Sequence, residues 1–179
     1  MLLLDDAHSV AKIDASNMRA LLSTFDTQCR DAAAGAVPIP AARTYPCICV
    51  AGMGGSAIAG DYGKRLVKPD AGCSVIVHRD YGLPSCVREG SLVVALSYSG
   101  DTEETVSAYR EARKRRCDVW TLSSGGTLEK LAKEDGVSHV KIPPGNPPRC
   151  SLGWIFFPLF RLFLGLGLVE AFDAASFFA

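Results

Sequence analysis

The stretch Leu92-Val93-Val94-Ala95-Leu96-Ser97-Tyr98-Ser99-Gly100-Asp101-Thr102 carries five apolar residues without a break. It then gathers three aliphatic hydroxyls and a glycine within six residues. An uninterrupted apolar run of this kind is a strand buried on both faces, because a strand with one wet face alternates apolar and polar residues. The residues that follow, to about Arg116, set Val106, Tyr109 and Ala112 on one helical face. They close on a basic cluster, Arg113 to Arg116, suited to the negative end of a helix dipole and read as a solvated helix end.

The same punctuation recurs on either side. Cys47-Ile48-Cys49-Val50-Ala51 is a second apolar run, Gly52-Met53-Gly54-Gly55-Ser56 the turn after it, and Ala57 to about Leu66 a helix stopped near Pro69. Ser74 to His78, Val119 to Leu122 and Val137 to Ile142 read as three further strands, with a short helix from Thr127 to Glu134 ended by Gly136. A last helix opens at about Arg149, after the proline-rich residues 143–148. Strands alternating with helices predict an α/β fold: a doubly wound, five-stranded parallel sheet with helices on both faces, a three-layer sandwich. Ligands then belong at the carboxyl ends of the strands. Residues 1–34 read as helix, with Ile13, Met18, Leu21, Leu22 and Phe25 at mixed three- and four-residue spacings. Gly35 ends that helix, and Pro38, Pro40 and Pro46 keep the next segment extended.

Composition narrows the function. The 179 residues hold 19 Lys+Arg against 19 Asp+Glu, which removes the electrostatic term that carries most nucleic-acid affinity. Seven cysteines, an odd number with no CxxC and no metal-type spacing to the three histidines, predict neither a disulfide framework nor a metal site. Reduced thiols and a start, MLLLDDAHSVAKID, that is acidic where a signal peptide is basic give a cytoplasmic expectation. Leu152 to Leu168 is apolar apart from Arg161, but it is shorter than the ~20 residues a bilayer needs and holds a central Arg and a Pro. It reads as a buried helix packed on another domain or another chain.

Two turns have compositions beyond what turning requires. Ser97, Ser99, Gly100 and Thr102 precede a helix N-terminus, where free N–H groups and the dipole favour an anion, hydroxyls add donors, and glycine allows close approach. The bland alternative is a helix cap, with Asp101 and Glu104 at capping-box spacing. Gly52-x-Gly54 with Ala57 begins like a dinucleotide fingerprint, but the acidic residue expected after the second strand has only Asp80 as a candidate. A tight turn that needs glycine is the bland reading there. Beside the hydroxyl turn, Gly54, Gly55 and Ser56 suit the other wall of a small polar pocket, of a size for a sugar phosphate.

GMGGSA after the first strand, SYSGDTEET after the third, SSGGTLEKLA after the fourth and PPRCSLG after the fifth, in that order, resemble the sugar isomerase (SIS) domain. The chain is most similar to the first half of the bifunctional phosphoglucose/phosphomannose isomerase family. The resemblance implies residues 1–40 as a helical leader, 41–168 as the sugar-phosphate-binding domain and 169–179 as a tail. It also implies that Ser97, Ser99 and Thr102 grip the substrate phosphate while Gly54, Gly55 and Ser56 line the sugar site through backbone amides and a hydroxyl. Arg149 matches the arginine that stabilises an enediolate. Its bland reading is a surface arginine bonded to the carbonyls of residues 143–148. The implied reaction interconverts glucose 6-phosphate or mannose 6-phosphate with fructose 6-phosphate, with no metal or organic cofactor.

The family's glutamate base and its assisting histidine and lysine belong to a second domain and a neighbouring subunit. His8, His78 and His139 match none of those positions and read as structural or exposed. The expectation is therefore a phosphorylated-hexose-binding half-enzyme that forms a homodimer or associates through its C-terminal apolar helix. Neither nucleic acid nor membrane is expected as a partner. The alternative is a non-catalytic sugar-phosphate sensor.

Overall fold

The computed structural model describes residues 5–41 and 44–171. Five strands, β1 (Cys47–Gly52), β2 (Ser74–His78), β3 (Leu92–Leu96), β4 (Asp118–Ser123) and β5 (Ser138–Lys141), form one sheet in the order β2-β1-β3-β4-β5, every pairing parallel. This is the doubly wound arrangement expected from the sequence, and the order reverses between β1 and β3. Those two strands lie side by side, Gly52 level with Leu96, so the glycine turn and the hydroxyl turn leave the sheet as neighbours.

The two faces of the sheet follow from period-two alternation. Ile48, Val50, Leu92, Val94, Leu96, Trp120 and Leu122 point to one side and pack with Ile155, Leu159, Leu162 and Phe163. Cys47, Cys49, Ala51 and Val93 point to the other and pack with Ala108, Ala112 and Cys117. Helices α4 (Gly54–Leu66) and α7 (Leu152–Gly165) cover the first face; α5 (Glu103–Lys114) and α6 (Gly126–Glu134) cover the second. On α5 the residues that turn inward include Val106, Tyr109 and Ala112, as the spacing predicts.

The N-terminal segment departs from the single helix expected over residues 1–34. It forms α1 (Ala7–Ile13), α2 (Met18–Ser23) and α3 (Phe25–Ala34), and residues 1–4 lie outside the described residues. Asn17 adopts a left-handed backbone, φ 52°, and the Asp14 carboxylate accepts the amides of Met18 at 2.7 Å and Arg19 at 2.9 Å. A side chain that captures the next helix's free amides starts that helix afresh. The irregular apolar spacing never closes into a stripe: Ile13 and Leu22 are exposed, and burial begins with Gln28, Cys29 and Ala32 on α3. Gly35 does end α3.

Two further expectations are corrected. The helix after β1 opens at Gly54, not Ala57, so the glycines form its first turn. The apolar C-terminal run finds much of its cover inside this domain, with Gly153, Ile155, Phe157, Leu159, Phe160, Leu162 and Phe163 buried against α3, α4 and the sheet while Trp154 and Phe156 stay half-buried. Arg161, the charge inside that run, donates to the Ala33 and Gly35 carbonyls at the end of α3, where orphan carbonyls and the dipole both favour a cation. No helix among the described residues is long and apolar enough to cross a membrane. Of the expected tail, residues 172–179 lie outside the described residues.

Phe163 is fully buried and its ring lies 3.1 Å from where a Cβ on Gly63 would stand, so α4 and α7 meet through that glycine. Phe163→Ala is expected to cost about 3–5 kcal/mol in urea unfolding, because a packed ring leaves a cavity the neighbours cannot refill. A cost under about 1 kcal/mol would show that this helix is not part of the core.

Candidate functional site

The hydroxyl turn after β3 and the turn after β4 are built into each other. Gly100 has φ +82°, and a Cβ there would stand 1.8 Å from the Gly125 carbonyl oxygen. Gly126, at φ +72°, would put a Cβ 2.5 Å from the Ser99 carbonyl oxygen. Across this contact the Ser124 amide and hydroxyl donate to the Tyr98 carbonyl at 2.8 and 2.7 Å, and the Leu128 amide donates to the Gly100 carbonyl at 2.9 Å.

Within the first turn, Ser97 is 1% exposed and its hydroxyl lies 2.8 Å from that of Thr102 while accepting the Gly100 amide at 3.0 Å. Ser99 is exposed, and its hydroxyl accepts the Asp101 amide at 3.2 Å. These bonds account for both serines as turn formers, yet they use oxygen lone pairs. The Ser99 proton, and one of the two protons of the Ser97–Thr102 pair, stay available to donate.

The capping-box spacing of Asp101 and Glu104 does not cap α5. The residue preceding α5 is Thr102, which makes no side-chain cap. Asp101 instead accepts the Thr127 amide at 2.8 Å and the Thr127 hydroxyl at 2.7 Å, so it serves the first turn of α6. The Thr127 hydroxyl bond, then its amide, holds the Asp101 carboxyl below the usual carboxylate range. Glu103 accepts the Tyr81 hydroxyl at 2.9 Å, which pushes the Tyr81 phenol up. The first amides of α5 are thus left without a side-chain cap beside a cluster of hydroxyl donors.

On β1, a Cβ on Gly52 would stand 2.9 Å from the Leu96 carbonyl, which presses the two turns together. Gly54 is exposed, Gly55 half-buried and Ser56 buried. The Ser56 amide donates to the Met53 carbonyl at 3.0 Å, which leaves its hydroxyl as the group of this residue assigned to a sugar. A Cβ on Gly55 would lie 3.3 Å from the Pro148 carbonyl and 3.9 Å from the Arg149 Cα. The glycine turn therefore abuts the segment that carries Arg149.

Arg149 sits in a 3-10 turn, Pro148–Cys150, ahead of α7 and not at its first residue. It is exposed and makes no hydrogen bond or ion pair among the described residues, so the carbonyls of residues 143–148 do not hold it. What holds the segment is Tyr98, unremarked in the sequence: its hydroxyl donates to the Pro143 carbonyl at 3.0 Å and accepts the Asn146 amide at 2.9 Å.

A cleft of about 530 Å³ adjoins the hydroxyl turn and is lined by Tyr81, Asp101, Glu103, Ser107, Arg110 and Thr127 among others; Ser97, Ser99, Thr102 and Arg149 do not line it. The histidines stand apart. His8 is exposed on α1, His78 closes β2, and His139 on β5 shares a 2.8 Å bond with the Thr121 hydroxyl, its pKa lowered chiefly by burial. No group of three or more His, Cys, Asp or Glu among the described residues is placed to hold a metal ion.

The model of one family, the SIS domain, matches residues 46–138, from the start of β1 into β5. The chain belongs to the SIS-domain family. The matched span holds the glycine turn and the hydroxyl turn, and it leaves the leader helices and Arg149 outside. A bifunctional phosphoglucose/phosphomannose isomerase of Caldicellulosiruptor bescii is 44% identical over 70% of this chain and 37% of its own length. A D-glucosamine-6-phosphate 4-epimerase of Sulfolobus acidocaldarius is 32% identical over 69% of this chain and 39% of its own. The chain thus spans little more than a third of these relatives. In fold, it superposes on the C-terminal domain of glucosamine-fructose-6-phosphate aminotransferase from Francisella tularensis with a TM-score of 0.60 at 16% identity, over 84% of this chain and 48% of that one.

The SIS-domain turns make a prediction about glycine. Gly100→Ala is expected to cost about 2–4 kcal/mol, from a positive φ and a contact with backbone that cannot move aside. Gly54→Ala, at φ +48° but with nothing within 4 Å, is expected to cost only about 1 kcal/mol. Urea unfolding of both checks this, and equal costs would mean that the two turns are not interlocked.

Proposed function

We propose that this SIS domain binds a phosphorylated hexose where β1 and β3 end, as part of an aldose–ketose isomerase acting on glucose 6-phosphate or mannose 6-phosphate and fructose 6-phosphate. The observation that carries the reading is the hydroxyl set of Ser97, Ser99 and Thr102 on a helix N-terminus whose amides have no side-chain cap. A dianionic phosphate satisfies both the amides and the hydroxyls. Close relatives that act on hexose phosphates support the sugar.

In this reading the phosphate anchors the substrate at Ser97, Ser99, Gly100 and Thr102, and the amides of exposed Gly54 and half-buried Gly55, with the Ser56 hydroxyl, face the sugar. Isomerisation moves a proton between C2 and C1 through an enediolate, on which negative charge develops at oxygen. Arg149, with no competing anion among the described residues, is the cation that stabilises it. The proton-transferring base is assigned to sequence that the longer relatives have and this chain does not span. We place the protein in the cytoplasm, in keeping with seven unpaired cysteines. We also expect a homodimer or association through the C-terminal apolar helix, where Phe156 stays half-buried beside the exposed Tyr62.

Calorimetric titration with fructose 6-phosphate, beside a coupled isomerase assay, tests this. Ser99→Ala and Thr102→Ala are each expected to weaken binding by about 1.5–3 kcal/mol, roughly 10- to 150-fold, because each removes a donor to a charged group. Unchanged affinity in both would remove the site assignment. Arg149→Ala is expected to abolish any turnover while leaving phosphate affinity in place. Binding by the chain with no turnover, alone or with the remaining part of a longer relative, would favour a sensor over an enzyme.

A further inference from the structure

Arg149 is exposed, and its guanidinium has no partner among the described residues, so the part of it that the fold fixes is the backbone from which it projects. That backbone is a three-residue 3-10 turn, too short to hold itself rigid. Upstream it is tied by Tyr98. Downstream it is tied by a residue 121 positions earlier, Gln28 on α3.

Gln28 is 7% exposed, an uncommon place for an amide side chain. Its Nε2 donates to the Cys150 carbonyl at 2.9 Å, and its Oε1 accepts the Gly153 amide at 2.8 Å. The first group closes the turn and the second is a free amide in the opening turn of α7, which has no side-chain cap of its own. One primary amide satisfies both because it is donor and acceptor at once. A Cβ at residue 153 would stand 2.8 Å from Oε1, so glycine there admits the contact. On its other side the turn meets Gly55. The segment is thus gripped between the leader and the glycine turn.

We infer that Gln28 is a positioning residue for Arg149, so that α3, which lies outside the matched SIS span, is part of the functional site. This rests on the assignment of Arg149 proposed above. A plain staple between α3 and α7 is a different role, and the structure supplies a control for it. Arg161 joins the same two helices through the Ala33 and Gly35 carbonyls, far along α7 from the turn.

The test uses two anions on the whole chain. Inorganic phosphate reports on the hydroxyl turn; a five-carbon aldonic acid 5-phosphate adds a planar carboxylate that mimics the enediolate and reports on Arg149. Gln28→Met keeps the side-chain volume and removes the amide. It is expected to weaken the aldonate by about tenfold, short of the ~10²-fold that a 1 Å misplacement can cost, with inorganic phosphate within about twofold of wild type.

Arg149→Ala is expected to weaken the aldonate at least as much, and the double variant to be no weaker than Arg149→Ala alone. Arg161→Met is expected to lower thermal stability and leave both affinities unchanged. If Gln28→Met does not fold, Gln28→Glu retains an acceptor for the Gly153 amide, and its carboxylate suits a helix start; the same selective loss is expected of it.

Equal weakening of both anions by the Gln28 variants, or additive losses in the double variant, would overturn the inference. So would an unchanged aldonate affinity in a wild-type-like background where Arg149→Ala loses it. Wild-type chain that binds neither anion would overturn the site reading, and this inference with it.

Discussion

The close approach of Gly100 to the Gly125 carbonyl is the contact on which the proposed ligand edge of the molecule depends. Two backbones meet there at a distance no side chain permits, and the three glycines that make the contact, Gly100, Gly125 and Gly126, all hold positive φ. Because the turns after β3 and β4 are locked, Asp101 is delivered to α6 and is withdrawn from α5. The uncapped start of α5 is thus a consequence of the interlock. Thr102, the residue just before α5, makes no side-chain cap and Asp101 is spent on the neighbouring helix, so the hydroxyls of Ser97, Ser99 and Thr102 remain beside uncapped amides.

The central strands beneath, β1 and β3, are buried along their whole length on both faces. That explains the cysteines as well: Cys47, Cys49 and Cys117 behave as small apolar groups between strand and helix. Burial pushes the Cys49 thiol up to about 12, with neighbouring thiols adding a smaller effect, so it carries essentially no nucleophilic thiolate near neutrality. Cysteine content here serves packing, which leaves the strand ends for the proposed site.

Much of this was legible in the sequence. All five strands lie within a residue or two of their expected positions, and β1 and β3 were plainest because strands buried on both faces leave a continuous apolar signal. The turns carrying Ser97 to Thr102 and Gly54 to Ser56 were legible for the same reason, as their compositions exceed what turning needs. The leader was not. Its irregular apolar spacing suggested one helix, and what broke it was a carboxylate, Asp14, choosing the next helix's amides. Asp101 was misjudged in the same way, since a capping residue looks alike whichever helix it serves. The C-terminal run was correctly seen as buried, but its cover, α3 and α4, could be known only from the tertiary arrangement. Gln28 and Tyr98 left no signal at all: each acts through backbone groups far away in sequence, which no local pattern encodes.

The proposed site divides its donors by kind. Around the hydroxyl turn the donors are neutral, and the nearest charges, Asp101 and Glu103, are anionic and held by Thr127 and Tyr81. A phosphate there is held by dipoles and hydroxyls already oriented by the fold, at little cost in reorganisation. The cation is kept for the other end, on the turn between Gly55 and the leader. Were Arg149 at the phosphate, its charge would stabilise substrate and transition state alike and accelerate nothing. In the proposed arrangement the same charge stands where negative charge appears only as the sugar reacts, and there it discriminates between them.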